Sequence, residues 1–101
     1  MSANMIRAAI EARNPGSIAN YLAHYRRPED QARVLLDVLY DSTVVEIKSI
    51  HRWAEDWLSE RTNDALRARK DARWQAVNSI YVLAGQALRD SGTVRSVEIQ
   101  P

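Results

Sequence analysis

Apolar residues recur at three- and four-residue intervals along most of the chain, which is the spacing of one face of an α-helix. The pattern predicts five helical segments, at about residues 3–12, 17–27, 28–40, 43–59 and 63–90. With three Gly and three Pro in 101 residues, the chain has few of the turn residues that an all-β fold requires. The predicted fold class is therefore all-α.

Local signals predict where these helices start and stop. Asn14-Pro15-Gly16 is interpreted as the end of the first helix, because Pro restricts the residue before it and Gly permits turn geometry. Ser17 is then a candidate N-cap for the second helix. Pro28 is predicted at the first position of the third helix, where its missing N–H costs nothing. Thr43 followed by Glu46 matches a capping box, which starts the fourth.

The two longer helices near the C-terminus are predicted to form an antiparallel hairpin, with the shorter N-terminal helices packed on one side of it as a small bundle. A length of 101 residues is that of a single domain. This helical domain is predicted to cover residues 1–92, ending with Gly92 as a C-cap glycine. Residues 93–101 are predicted to be a flexible tail.

The last predicted helix is unusual because a basic cluster leads directly into its apolar stripe. At 100° per residue, Arg69, Lys70 and Arg73 lie on the same side as Val77. A continuous helix would carry its inner face past the core into a charged docking surface. Alternatively, the helix starts after Asp71, which is its N-cap. The basic residues would then share a side with the apolar stripe only by coincidence, and the cluster would be an ordinary solvent-exposed surface.

The overall net charge of +1 is too small to indicate a nucleic-acid binder. The charge is unevenly distributed, since residues 43–66 carry a net charge of −2 and residues 67–95 carry +4. Only two of the 14 basic residues are lysines, a bias that hints at a GC-rich genome such as that of a bacterium or its phages.

The residues that enzymes and metal sites need are scattered or absent. The chain has no cysteine, which excludes disulfides, thiol catalysis and cysteine-ligated zinc. His51 has Glu55 four residues on, but without a nucleophile or third ligand it is interpreted as a core or boundary histidine. The isolated glycines do not form a phosphate-binding loop. The sequence predicts no enzymatic activity, no cofactor and no metal.

The sequence also predicts a cytoplasmic protein without a membrane segment. The first ten residues lack the apolar core of a signal peptide. No run of about 18 apolar residues occurs anywhere in the chain.

Two tryptophans on the fourth predicted helix are candidates for contact with a partner. Trp53 and Trp57 are neighbours at i and i+4. One interpretation is that the short N-terminal helices cover both rings. The other is an exposed ridge rimmed by acids such as Glu46 and Glu60, which would anchor an interface with a larger protein or with a second copy of the chain.

The sequence thus predicts a non-enzymatic protein-interaction module that docks onto a larger protein or protein complex. The candidate binding residues are Trp53, Trp57, Arg26, Arg27, Arg67, Arg69, Lys70 and Arg73. In size and lack of motifs the chain resembles bacterial accessory proteins. These include inhibitors of host complexes encoded by phages or mobile elements, such as anti-CRISPR proteins. The alternative is a small nucleic-acid-binding regulator whose basic cluster contacts phosphates.

Overall fold

The computed structural model describes residues 3–61 and 71–90, which form five α-helices and no strand within these ranges. The helices are α1 (Ala3–Glu11), α2 (Pro15–Leu22), α3 (Pro28–Tyr40), α4 (Val44–Ser59) and α5 (Ala72–Leu88). The prediction of an all-α fold is confirmed. Helix α5 contacts α2, α3 and α4, while α1 packs on α2 and α3.

The core consists of aliphatic side chains from all five helices. Fully buried members are Ile6, Ile18, Leu35, Ile47 and Ile80. Several aromatic rings, including those of Trp53 and Trp57, lie at the edge of this cluster, where they are half-buried. The chain has no Phe, so the apolar area removed from water, which drives folding, comes mainly from Ile, Leu, Val and Ala.

The start of α2 differs from the prediction. Asn14 has an extended backbone, and its side chain accepts the N–H of Ser17 at 3.1 Å. Pro15 is therefore the first residue of α2, and Ser17 lies inside the helix and is not its N-cap. The Asn-Pro-Gly sequence both ends one helix and caps the next, because Asn is a strong N-cap residue and Pro suits the first helical position.

The starts of α3 and α4 are confirmed. Pro28 opens α3, and Glu29 and Asp30 lie in its first turn, near the positive end of the helix dipole. The Thr43 hydroxyl accepts the backbone N–H of Glu46 at 3.2 Å and donates to the Glu46 carboxylate at 3.0 Å. These contacts occupy one of the free N–H groups of the first turn of α4.

The last described helix begins at Ala72, so the prediction of one continuous helix through Lys70 and Asp71 is wrong, and the predicted stretch before Asp71 lies outside the described residues. Asp71 has an extended backbone, with φ −80° and ψ 127°, and its carboxylate accepts the N–H of Arg73 at 2.8 Å. The interpretation of Asp71 as an N-cap is confirmed, because this bond satisfies an N–H that has no partner inside the helix. Arg67, Arg69, Lys70, Gly92 and the predicted tail at 93–101 lie outside the described residues.

Candidate functional site

Trp57 lies in the last turns of α4, half-buried against the core. Arg61 follows four residues later and lies over the indole, with its guanidinium carbon 3.7 Å from the ring centroid. Its Nη1 also donates to the backbone carbonyl of Trp57 at 2.8 Å. A cation–π contact and a hydrogen bond to the same residue thus position the Arg61 side chain.

Asp71 and Arg73 form a two-point ion pair at the start of α5. Nε and Nη2 of Arg73 donate to the two carboxylate oxygens of Asp71 at 3.2 and 3.0 Å. The side-chain hydrogen bonds from Arg73, followed by its backbone N–H, lower the pKa of Asp71 from 3.8 to about 2. The same carboxylate raises the pKa of Arg73. Both groups are therefore charged at neutral pH.

These two pairs line one small cleft between the end of α4 and the start of α5. Trp74 completes the lining, and the cleft has a volume of about 110 Å³. The side chains of Arg61 and Arg73 remain 41% and 60% exposed, so both guanidiniums are in contact with solvent. Among the described residues, the lining of the cleft thus combines two indoles, two guanidiniums and one carboxylate.

Trp53 lies one turn before Trp57 on α4 and is also half-buried. The guanidinium of Arg13, from the connection between α1 and α2, lies 5.8 Å from its ring centroid. Arg13 also donates to the hydroxyl of Ser49 on α4 at 3.2 Å. Each indole of the predicted ridge is therefore partly exposed and has one arginine against it.

Arg26 and Arg27 are exposed between α2 and α3. Ala23 precedes Arg26 by three residues and Gln31 follows Arg27 by four, and both line a second cleft. Residues from the first turns of α5, including Ala72, line the same cleft. The connection that carries Arg26 and Arg27 therefore lies at the same end of the molecule as the start of α5. Of the eight predicted binding residues, Arg67, Arg69 and Lys70 lie outside the described residues.

Three cleft residues were absent from the predicted binding set. Arg61 follows Trp57 by four residues, and this spacing is a local signal that could have identified the pair. Asp71 was recognised as a possible N-cap, but its pairing with the Arg73 side chain was not predicted. Trp74 was not singled out from the sequence, because only the packing of α5 against α4 places it in the same cleft as Trp57.

His51 lies where α4 packs against α5, outside the lining of the cleft. Its ring stacks on Tyr81 with centroids 4.7 Å apart and an angle of 19° between planes. Residues 3–61 and 71–90 contain no group of three or more His, Cys, Asp or Glu side chains placed to hold a metal ion. None of the helices in these ranges has the length and apolar character needed to cross a membrane.

The cleft therefore presents two residue types that dominate the binding energy of protein interfaces, Trp and Arg, positioned by contacts within the chain. Comparisons of the chain with protein-family models, with curated proteins and with solved structures found no match.

Proposed function

We propose that the chain is a non-enzymatic protein-interaction module that docks onto a larger protein or protein complex. The observation that carries the proposal is the cleft in which Trp57 and Trp74 lie beside Arg61 and Arg73. In this proposal α4 and α5 act as an antiparallel hairpin, the shorter N-terminal helices pack on it as a bundle, and the hairpin presents the cleft at one end.

Preorganisation of the two arginines supports a binding role. Arg61 is held by the ring and carbonyl of Trp57, and Arg73 by the carboxylate of Asp71. Immobilising a long side chain at an interface costs about 0.5–1.5 kcal/mol. Because both arginine side chains are restrained in the unbound chain, docking against them costs less conformational entropy. For Arg73 this gain is offset by Asp71, which already occupies two of its donors.

The proposed surface extends beyond the cleft on two sides. Trp53 lies one turn away on α4, and Arg26 and Arg27 lie at the same end of the molecule as the start of α5. Residues 62–70 connect the two walls of the cleft along the chain, so the basic residues Arg67, Arg69 and Lys70 stay in the proposed binding set.

We propose that the chain is encoded by a phage or mobile element and that it inhibits a bacterial host complex. This part of the proposal is supported by the small size, the absence of cysteine and the preference for Arg over Lys. A second copy of the chain is the alternative occupant of the same surface.

Site-specific photo-crosslinking tests the docking surface. The photoreactive residue p-benzoylphenylalanine replaces Trp74 in one variant and Val82 in a matched control; Val82 is exposed on α5, two turns along the helix. We expect one discrete crosslinked species from position 74 in cells of the source organism, and its loss when Arg73→Glu is added. Equal yields from both positions, or no crosslink at 74 in a variant with unchanged helicity, would contradict the proposal.

Nucleic-acid binding through the same arginines has weaker support. Arg73 is already paired with Asp71, and Arg61 lies 3.5 Å from the carboxylate of Glu60, so acids accompany the bases on this surface. A protein that neutralises phosphates loses affinity steeply with salt. A gel shift with DNA or RNA at low salt that disappears at moderate salt would favour this alternative.

A further inference from the structure

We infer that the cleft between α4 and α5 binds a single carboxylate side chain, of Asp or Glu, presented by the partner protein. This inference rests on the docking function proposed above and specifies its chemistry. With such a site, the interface would recognise an acidic residue of the partner that has apolar neighbours.

The charge of the cleft favours an anion. Two guanidiniums and one carboxylate line it among the residues that the structure describes, and the carboxylate of Asp71 is already bonded by Arg73 through both oxygens. Arg61 is paired with Glu60, whose carboxylate lies 3.5 Å away, is 73% exposed and does not line the cleft. An exposed ion pair of this length is weak, so the 41% exposed side chain of Arg61 can bind a second carboxylate. A planar guanidinium matches a carboxylate or a phosphate through two parallel N–H···O bonds. The carboxylate carries the smaller negative charge, which suits a cleft in which Asp71 already occupies Arg73.

The size of the cleft favours one side chain over a larger ligand. Its volume of about 110 Å³ lies well below the roughly 300–1,000 Å³ of typical small-molecule sites. The indoles of Trp57 and Trp74 form its apolar walls. Apolar walls reduce the screening of a charge-assisted hydrogen bond by water, and they offer contact to the methylene groups of a Glu or Asp.

The internal pair makes Asp71 a competitor of the incoming carboxylate. While Asp71 occupies two donors of Arg73, the partner's carboxylate must share Arg73 or rely mainly on Arg61. Asp71→Asn removes the competing charge and keeps an acceptor at the N-cap, since Asn is as good an N-cap as Asp. The variant should therefore bind a carboxylate more tightly than the natural chain. If Asp71 had only a structural role, its replacement would not increase the affinity.

The experiment titrates ¹⁵N-labelled full-length chain with blocked five-residue peptides that carry Glu, Gln or phosphoserine between leucines. The signals followed are the indole N–H groups of Trp57 and Trp74. We expect saturable shifts with the Glu peptide at millimolar concentration and much smaller shifts with the Gln peptide. Asp71→Asn should tighten Glu-peptide binding several-fold, and Arg61→Gln should weaken it about tenfold. Arg33→Gln, an exposed site on α3, is the control and should change nothing.

Each other outcome overturns the inference. Equal shifts with the Glu and Gln peptides would show that the cleft does not distinguish a charged carboxylate from a neutral amide. Stronger binding of the phosphoserine peptide would assign the cleft to phosphate. No saturable shift with any peptide, or no gain in Asp71→Asn, would exclude a carboxylate site. The crosslink from position 74 decides the docking function independently, so the two failures are distinguishable.

Discussion

The guanidinium of Arg61 covers the indole of Trp57 at 3.7 Å, whereas Arg13 lies 5.8 Å from the centroid of Trp53. The closer pair is also joined by the hydrogen bond from Arg61 to the carbonyl of Trp57. The ion pair of Arg61 with Glu60 is longer, at 3.5 Å, and both side chains are well exposed, so it adds little stability. The contact with Trp57 is therefore what holds Arg61 at the end of α4.

Replacing Arg61 tests this contact. We expect Arg61→Ala to lower the free energy of unfolding by about 1 kcal/mol, because one partly exposed cation–π contact and one hydrogen bond are lost. Urea denaturation followed by circular dichroism measures this loss. Arg52→Ala, at an exposed arginine on α4, is the control and should stay within about 0.5 kcal/mol of the natural chain. Equal losses in the two variants would show that the ring contact contributes nothing specific.

The low pKa of Asp71 predicts a pH dependence of stability. Folding lowers this pKa from 3.8 to about 2, so the ionised carboxylate favours the folded state. Its contribution is complete above pH 3.8 and is lost as the pH falls toward 2. Urea denaturation at a series of pH values should give a steeper fall in this window for the natural chain than for Asp71→Asn. Parallel curves would contradict the contribution of Asp71, because the other acids titrate in both chains.

The helix starts that could be predicted from sequence are those whose signal is complete within one turn. Pro28 and the Thr43–Glu46 pair start helices through contacts with residues next to them in the sequence. In the structure α3 and α4 begin at the positions that these signals predict. Asn14 was misassigned because Asn-Pro-Gly is equally a helix stop and a helix start. Asp71 left two alternatives, since the helical spacing of the arginines competed with the local capping signal.

The cleft was only partly predictable for a related reason. The contact of Trp57 with Arg61 lies within one helical turn and follows from the spacing of the two residues. Trp57 and Trp74 line the same cleft because of how α5 packs against α4. The burial of Ala54 on α4 and Ile80 on α5 does not specify which side chains meet at the ends of these helices. Helical periodicity identifies a buried face, but it contains no information on that long-range pairing.

Gly85 lies inside α5, where glycine is unfavourable. A Cβ at this position would lie 3.5 Å from Nε2 of His51, an ordinary van der Waals contact. Gly85→Ala should therefore raise the free energy of unfolding by about 0.5–1 kcal/mol, through lower backbone entropy of the unfolded chain. Chemical denaturation measures the gain, and Ala84→Gly at the adjacent buried position should have the opposite sign. If Gly85→Ala destabilises the chain, close packing against His51 requires the glycine.

Arg13 occupies the left-handed position that ends α1, with φ 54°. The N–H of Asn14 donates to the carbonyl of Ala9 at 3.1 Å, and that of Arg13 to the carbonyl of Ile10 at 3.0 Å. These two bonds form a Schellman motif, in which glycine is usual because a Cβ is unfavourable there. The Arg13 side chain offsets this cost by donating to the Ile10 carbonyl at 2.7 Å and by contacting α4.

Two substitutions at Arg13 separate the destabilisation caused by its left-handed backbone from the stabilisation provided by its side-chain contacts. Arg13→Ala loses the contacts and keeps the strained Cβ, whereas Arg13→Gly loses the contacts and relieves the strain. We expect the Ala variant to be less stable than the Gly variant by about 1 kcal/mol in urea denaturation, and the Gly variant to lie close to the natural chain. Equal stability of the two variants would mean that α1 adopts another ending once the side chain is removed. A large loss in the Gly variant would show that the contacts of Arg13 with α4 outweigh the backbone cost.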